Sequence, residues 1–414
     1  MQDAVFEESR PASGQDHPGQ VAAAPKPLVL HLSADYPDPL RDKTTTAIQR
    51  LVTGTPSATH IVVSLKRTRH KSEVHFEDCG VLDGVHVYSY RYFGRPFGVG
   101  LNDAMKVVSR RIREMLEQEA IKPDIVHAHK LGFEGLAAYD LVEHLPYPAK
   151  LLVSVRGETE RKILRYKPHY ARLLQRIVDR ASRVYYVSAW FRPKLNARLK
   201  IDPIKEALLP NIVGNADKVR PIPSRAPSKH FVSVMNFDIR KRKGLRSLLK
   251  GFRRFHEDHP DISLDLIGGG TDKSLQAVQA MIHDLKLDGA VRMIEPMDNA
   301  HLIEALPDYL ALALTSFNET FGMVYLEALF AGIPILYSRD TGIDGYLDGL
   351  DAGIAATPGK VSEIAAGFAY LLQHNERLRH AINASTPLLH DRFDRSAILE
   401  RYAKDLADLT REDG

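Results

Sequence analysis

Cysteine and tryptophan are nearly absent, with one of each in 414 residues. The lone thiol, Cys79, excludes an intramolecular disulfide framework and fits a reducing compartment. Long apolar runs are missing too, and none approaches the ~20 residues that a membrane-spanning helix needs. Neither sign of charge dominates: 56 Lys and Arg face 52 Asp and Glu, for a net charge of +4. That balance is too mild to argue for nucleic acid, and it permits phosphorylated or anionic partners. Residues 1–26 lack an apolar segment of the signal-peptide kind; they are polar, rich in Ala, Pro, Gly and Gln, and read as a disordered tail. A cytoplasmic location is the expectation. The first strand-like run, Leu28–Ser33, leads into Ala34-Asp35-Tyr36-Pro37 with no G-x-G-x-x-G, which argues against a nicotinamide dehydrogenase.

Apolar residues make up 44% of the chain, enough to bury two cores, and the length suits two to three domains of about 150 residues. Short β-rich runs alternate with helical patterns, the mark of parallel sheets with crossover helices, so the predicted class is α/β. Predicted strands in the first half are Leu28–Ser33, His60–Leu65, Val85–Arg91, Asp124–His129, Lys150–Val155 and Arg183–Ser188. A polar, Pro-containing stretch over 211–228 reads as a linker. The second series is His230–Asn236, Ser263–Ile267, Val291–Glu295, Leu310–Ser316, Pro334–Ser338 and Gly353–Ala356. The chain ends in an amphipathic helical pattern, Arg395–Thr410, with Ile398, Tyr402, Leu406 and Leu409 on one side.

Residues 315–336, TSFNETFGMVYLEALFAGIPIL, are the most informative stretch. A strand ending near Phe317 is predicted to meet a polar turn, Asn318-Glu319-Thr320. A helix then runs from about Phe321 to Ala331, and Gly332 and Pro334 stop it. Apart from Tyr325, Glu327 is the one ionisable side chain on that helix, among Met323, Val324, Leu326, Ala328, Leu329 and Phe330. A buried carboxylate needs hydrogen-bond donors, because an unpaired polar group costs roughly 2–7 kcal/mol and a charge more. Sugar hydroxyls would serve; a solvated or salt-bridged Glu is the alternative. Gly322 lets backbone approach a ligand, and the helix N-terminus offers unpaired N–H groups to an anion.

A basic run, Arg240-Lys241-Arg242-Lys243-Gly244, opens a helix predicted at Leu245–Phe255. Cations there oppose the macrodipole by roughly 0.3–1 kcal/mol each and invite an anion such as a diphosphate; a solvated basic loop is the alternative. Gly268-Gly269-Gly270 follows the next strand, at the edge where open α/β sheets bind ligands.

Residues 315–334 resemble the signature of glycosyltransferase family 4, retaining enzymes of the GT-B fold, in which two glutamates eight apart flank a Phe-Gly pair. Lys243-Gly244 is similar to that family's phosphate-binding Lys. The resemblance implies two Rossmann-like domains with parallel sheets facing a central cleft. An acceptor domain would span 27–212, a donor domain 213–394, and a C-terminal helix within 395–414 would cross back onto the first domain. It implies transfer of a sugar from a nucleotide diphosphate sugar to a saccharide or lipid-linked saccharide, without a metal, in bacterial surface-polysaccharide assembly. Glu319 would hold hydroxyls of the transferred sugar and Lys243 the leaving diphosphate. His129 joins them through the family's similar His-x-His segment. Glu327 would hold the ribose, with Thr320, Phe321, Gly322, Gly268, Arg240, Arg242 and Arg156 around the nucleotide sugar. A non-catalytic sugar-nucleotide-binding protein and a sugar-nucleotide epimerase of the same fold are the competing readings. Eight residues of helix would set the two glutamates roughly 12 Å apart, beyond the ~5–9.5 Å of hydrolase carboxylates.

In the first half, His127 and His129 of DIVHAHK fall on one sheet face. No third ligand stands nearby in the sequence, so zinc is not expected; strand-end packing and contact with sugar hydroxyls both remain open. The glycine-free stretch 38–46 carries threonines that either cap a helix or offer N–H groups to a phosphate. Tyr88, Tyr90, Tyr92, Phe93 and Phe97 interleave with Arg91 and Arg95, ahead of a helix with Ala104, Val108, Ile112 and Met115 in a stripe. That stripe either packs on the sheet or, with its basic neighbours, lies on the inner face of a membrane.

Overall fold

The computed structural model describes residues 26–40, 45–213 and 229–411. Almost all of the predicted disordered tail, most of the predicted linker and part of the glycine-free stretch lie outside the described residues. Among the described residues, eight strands form the first sheet: β1 (Leu28–Ser33), β2 (Thr59–Thr68), β3 (His75–Leu82), β4 (Val85–Phe93), β5 (Ile125–Ala128), β6 (Lys150–Val155), β7 (Arg183–Tyr186) and β8 (Glu206–Leu208). Their order is β3-β4-β2-β1-β5-β6-β7-β8. Six more, β9 (His230–Val234), β10 (Ser263–Ile267), β11 (Val291–Ile294), β12 (Leu312–Ala313), β13 (Ile335–Ser338) and β14 (Gly353–Ala356), form a second sheet in the order β11-β10-β9-β12-β13-β14. Pairing is parallel throughout except between β3 and β4. Central strands such as β6, sequence KLLVSV, are apolar almost end to end because helices cover both sheet faces.

Strand order reverses between β1 and β5 in the first sheet and between β9 and β12 in the second. The crevice at the carboxyl ends beside such a reversal is where open α/β sheets take ligands. Each of the two sheets therefore presents one such edge.

Two strands fall outside the predicted set. The antiparallel β3 meets β4 through Asp83 and Gly84, whose φ values of 51° and 78° make a two-residue hairpin turn. β8 has three residues, too few to leave a periodic pattern. The stretch predicted as a strand at Leu310–Ser316 is a regular strand only at Leu312–Ala313. The helix predicted from Phe321 runs over Met323–Phe330, because Gly322 before it is left-handed, with φ 79°.

The terminal helix Arg395–Arg411 seats Ile398, Tyr402, Leu406 and Leu409 against Val29, Ile125, Leu152 and Tyr185 of the first sheet. Each such apolar side chain is worth about 1.5–3 kcal/mol when buried. Tyr402 Oη is 2.8 Å from His127 Nδ1, and Tyr185 Oη donates to Asp405 Oδ2 at 2.9 Å. Because this helix follows the second sheet in the chain, it ties the two halves. Among the described residues no helix is long and apolar enough to cross a membrane. The stripe of helix Leu101–Gln118 is core: Met105, Val108, Ile112 and Met115 are buried with Tyr88 and Tyr90.

Candidate active site

The basic run and the signature loop meet at the reversal point of the second sheet. Gly244, at φ 71°, lies so close to Thr315 that a Cβ there would collide with the Thr315 carbonyl. That approach, together with Phe317 N donating to Arg242 O at 2.9 Å, brings Lys243 to Glu319. Lys243 Nζ donates to Glu319 Oε2, and both side chains are mostly buried. Thr341 clamps the loop from β13's end: its hydroxyl accepts from Glu319 N at 2.8 Å and donates to Glu319 O at 2.9 Å. A Cβ on Gly322 would sit 2.6 Å from the Tyr325 ring, so only glycine fits this turn. Glu319 thus lies in the loop and not on the helix, and the helical rise does not set its distance from Glu327.

Glu327 is 7% exposed and accepts from Asn299 Nδ2 at 2.8 Å. Burial raises its pKa above the ordinary carboxylate value, and the Asn299 hydrogen bond offsets part of that. Asn299 opens a helix, Asn299–Ala305, capped by Asp298 Oδ1 accepting from His301 N at 2.9 Å.

Other predicted donor residues divide. Arg242 is exposed, with Nη1 4.0 Å from Glu158 Oε2 on the first domain's side. Arg240 Nη1 donates to Phe237 O at 3.1 Å. Phe321 packs in the core against Tyr346 and Phe393 instead of lining the cleft. Gly268 serves strand-end packing, since a Cβ would collide with the Met235 carbonyl. Thr320 O lies 2.6 Å from Ser188 Oγ, which is also 2.7 Å from Arg156 O. One hydroxyl thus bridges the signature loop to the first sheet's edge.

Arg156 is buried and spoken for: Nε donates to His129 O at 3.0 Å and Nη1 to Asn211 Oδ1 at 3.3 Å. Desolvation lowers its pKa. Alongside, Lys130 Nζ pairs with Asp35 Oδ2 at 2.7 Å, and burial raises the pKa of Glu134 and Glu160.

His129 belongs to a buried chain of imidazoles. Thr55 O can only accept, so His60 Nε2 carries the proton in their 2.8 Å bond. In neutral rings His60 Nδ1 then accepts from His31 Nε2 at 2.9 Å, and His31 Nδ1 from His129 Nε2 at 3.1 Å. Burial holds these rings neutral, and the charge of Arg156 adds to the effect at His127 and His129. The expectation that no third ligand stands near His127 and His129 is corrected, because His31 brings its nitrogen within 4.8 Å of both. Sequence distance hid it: β1 and β5 are neighbours in the sheet. A dication there would meet Arg156 and no carboxylate in the cluster, a poor setting for zinc.

Asn299, Thr341 and Ser188 were missed by sequence reasoning. Only the Asp298 cap left a readable signal, as a helix start; the three contacts are set by crossovers that composition does not reveal.

Residues 44–212 match the family described as Glycosyl transferase 4-like domain, and residues 220–386 match Glycosyl transferases group 1. The glycogen synthase of Mycobacterium tuberculosis (strain ATCC 25618 / H37Rv) is 23% identical over 390 residues, covering 88% of this chain and 91% of that protein. Among solved structures, the sucrose-phosphate synthase of Thermosynechococcus elongatus superposes with a TM-score of 0.70 at 15% identity, over 93% of this chain and 100% of that one. Anabaena HepE, solved with UDP and glucose, gives 0.63 at 15% identity, over 92% and 99%. With both halves matched and the two-sheet architecture shared, the chain belongs to the family 4-type glycosyltransferases of GT-B fold, and it is a glycosyl-transferring enzyme.

Proposed function

We propose that the second sheet's edge takes a nucleotide diphosphate sugar and that its sugar passes to a saccharide or lipid-linked saccharide at the first sheet's edge. The observation that carries this reading is the meeting of Lys243 with Glu319 at the second reversal point, with the buried Glu327 on the helix that follows. Lys243, with Arg240 and Arg242, neutralises the departing diphosphate, the main electrostatic task of such a transfer. Thr320 and Gly322 offer backbone at the helix N-terminus to the same phosphates. Glu319 holds hydroxyls of the sugar and Glu327 those of the pentose. His129 and Arg156 stand on the acceptor side.

The bond from the anomeric carbon to the phosphate oxygen breaks, and the acceptor oxygen bonds that carbon from the same face. The acceptor's proton passes to the departing phosphate, so configuration is retained with no dedicated protein base. Three cations at the phosphate corner make a metal unnecessary. UDP in the HepE structure supports a nucleoside diphosphate donor. Surface-polysaccharide assembly in a bacterial cytoplasm suits this chemistry, and a lipid-linked acceptor would bring the protein to the inner face of the membrane.

Thermal shift against a panel of nucleotide sugars tests the reading. At about one hundred times its dissociation constant, the right donor adds about 2.7 kcal/mol of stability. Glu327→Ala should abolish that gain. A panel that leaves the native chain's melting unchanged sinks the proposal.

A further inference from the structure

Beside the mouth of the first sheet's edge lies an apolar patch that the fold does not use. Phe97 is 94% exposed, in the short turn Pro96–Gly98, with a left-handed φ of 54°. Such backbone is strained for a bulky residue, and a glycine would adopt it freely. Folding therefore gains nothing from a phenyl ring here. Val99 and Val107 are also exposed and, with Val74, Tyr92 and Phe93, line an open groove of about 300 Å³. Tyr166, 71% exposed, lies next to Lys167, whose Cε is 3.4 Å from where a Cβ on Gly98 would stand.

Cations rim this patch. Arg95 lines the groove, Lys71 Nζ sits 5.7 Å from the Phe93 ring centre, and Arg67 packs on Gly94. Of the nearby acids, Glu73 accepts from Thr68 Oγ1 at 2.5 Å and lies 3.8 Å from Arg91, which leaves Asp103 as the acid in the groove wall. The patch stands at the carboxyl ends of β2 and β4, the same edge of the sheet as the β1–β5 reversal.

We infer that this surface docks on a bilayer carrying anionic headgroups, with Phe97 and Val99 entering the headgroup–acyl boundary and Arg67, Lys71, Arg95 and Lys167 resting on phosphates. Exposed aromatics rimmed by Lys and Arg are what such an interface selects. A protein so seated holds its acceptor edge at headgroup level. The inference deepens the proposed transfer by naming the membrane as partner. It rests on that reading only for the claim that the acceptor lies in the same membrane.

Flotation of the full chain with phosphatidylcholine vesicles, with and without phosphatidylglycerol, tests it. Binding is expected only with the anionic lipid, and to weaken as salt rises. Phe97→Gly should lower the partition coefficient about tenfold or more, from the apolar area withdrawn. It should leave the melting temperature no lower and nucleoside diphosphate binding unchanged. Lys71→Gln and Lys167→Gln should each cost about fivefold. No binding to anionic vesicles, or equal binding by Phe97→Gly, overturns the inference. Binding that ignores Phe97 but needs the cations is electrostatic adsorption without insertion of the apolar patch and also overturns it. Should vesicles bind as expected while no nucleotide sugar stabilises the chain, it is the proposed transfer that fails.

Discussion

Lys243 donates to Glu319 across 76 residues of sequence, joining the basic run to the signature loop in one ion pair. The proposed diphosphate would need the same ammonium, and the Glu319 charge stands beside it. Glu319→Gln keeps a hydrogen-bond acceptor and removes that competing charge. It should tighten binding of a nucleoside diphosphate by roughly fivefold, as charge-assisted hydrogen bonds of this kind are worth more than neutral ones. Turnover should fall by about tenfold or more, since the sugar would lose its proposed positioning partner. Lys243→Ala should weaken both binding and turnover. Calorimetric titration alongside a transfer assay checks this, and weaker diphosphate binding by Glu319→Gln would sink the competition argument.

On the proposed reading, Glu327 trades stability for recognition. Its carboxyl is buried against apolar neighbours, and burial penalises the charged form. A folded-state pKa above the unfolded value means that the folded chain holds this proton more tightly. Its stability contribution is present at low pH and lost as pH rises through the folded value. Glu327→Gln retains an acceptor for Asn299 and removes the titration, so near pH 7 it should raise stability by about 1 kcal/mol while weakening donor binding. Urea unfolding and donor titration measure the two sides separately. A loss of stability would show that the charged form is better solvated than its surroundings imply. Asn299→Ala should push the apparent pKa seen in donor binding further up, because it removes the hydrogen bond that favours the carboxylate.

The imidazole chain fixes an acid limit. Burial, then the repulsion that protonated neighbours His60 and His127 would add, keeps His31 well below its usual value; burial holds His127 to about 3; His129 is also well below and His60 is lowered. Unfolded imidazoles take up protons as pH falls through about 6.5, so the unfolded state binds more. Stability is full above that value and is lost as pH falls toward about 3, at up to about 1.4 kcal/mol per pH unit for each histidine. Urea midpoints at about pH 7 and about pH 5 read the slope, and a flat profile would falsify the neutral-ring assignment.

Alternation of β-rich and helical patterns was enough to read most of β1 to β14, because buried parallel strands are apolar along their length. The hairpin of β3 had a signal that went unused, Asp83-Gly84, the turn dipeptide. Glu319, Glu327 and Lys243 stood out as candidates because a carboxylate among apolar residues and a Lys-Gly opening a helix are local patterns. Partners made by topology were not legible: Asn299 reaches Glu327 from another crossover, and His31 reaches His129 from the neighbouring strand. Phe321 was misread as a cleft residue because the signature places it beside Gly322, whereas the left-handed glycine turns the chain and sends the ring into the core.

Tyr402 and Leu406 make the terminal helix part of the first domain's core, although they follow the second sheet in the chain. Leu406→Ala removes a fully buried side chain and should cost about 2–5 kcal/mol. Tyr402→Phe keeps the ring and strands His127 Nδ1, which should cost about 1–3 kcal/mol. Because the helix covers β1, β5, β6 and β7 rather than the second sheet, the loss should register first in the half that carries His129 and Arg156. Hydrogen exchange resolved by segment measures where the opening occurs. Faster exchange confined to β9 through β14 would mean that the helix is held by the second domain and would overturn this account of how the halves are joined.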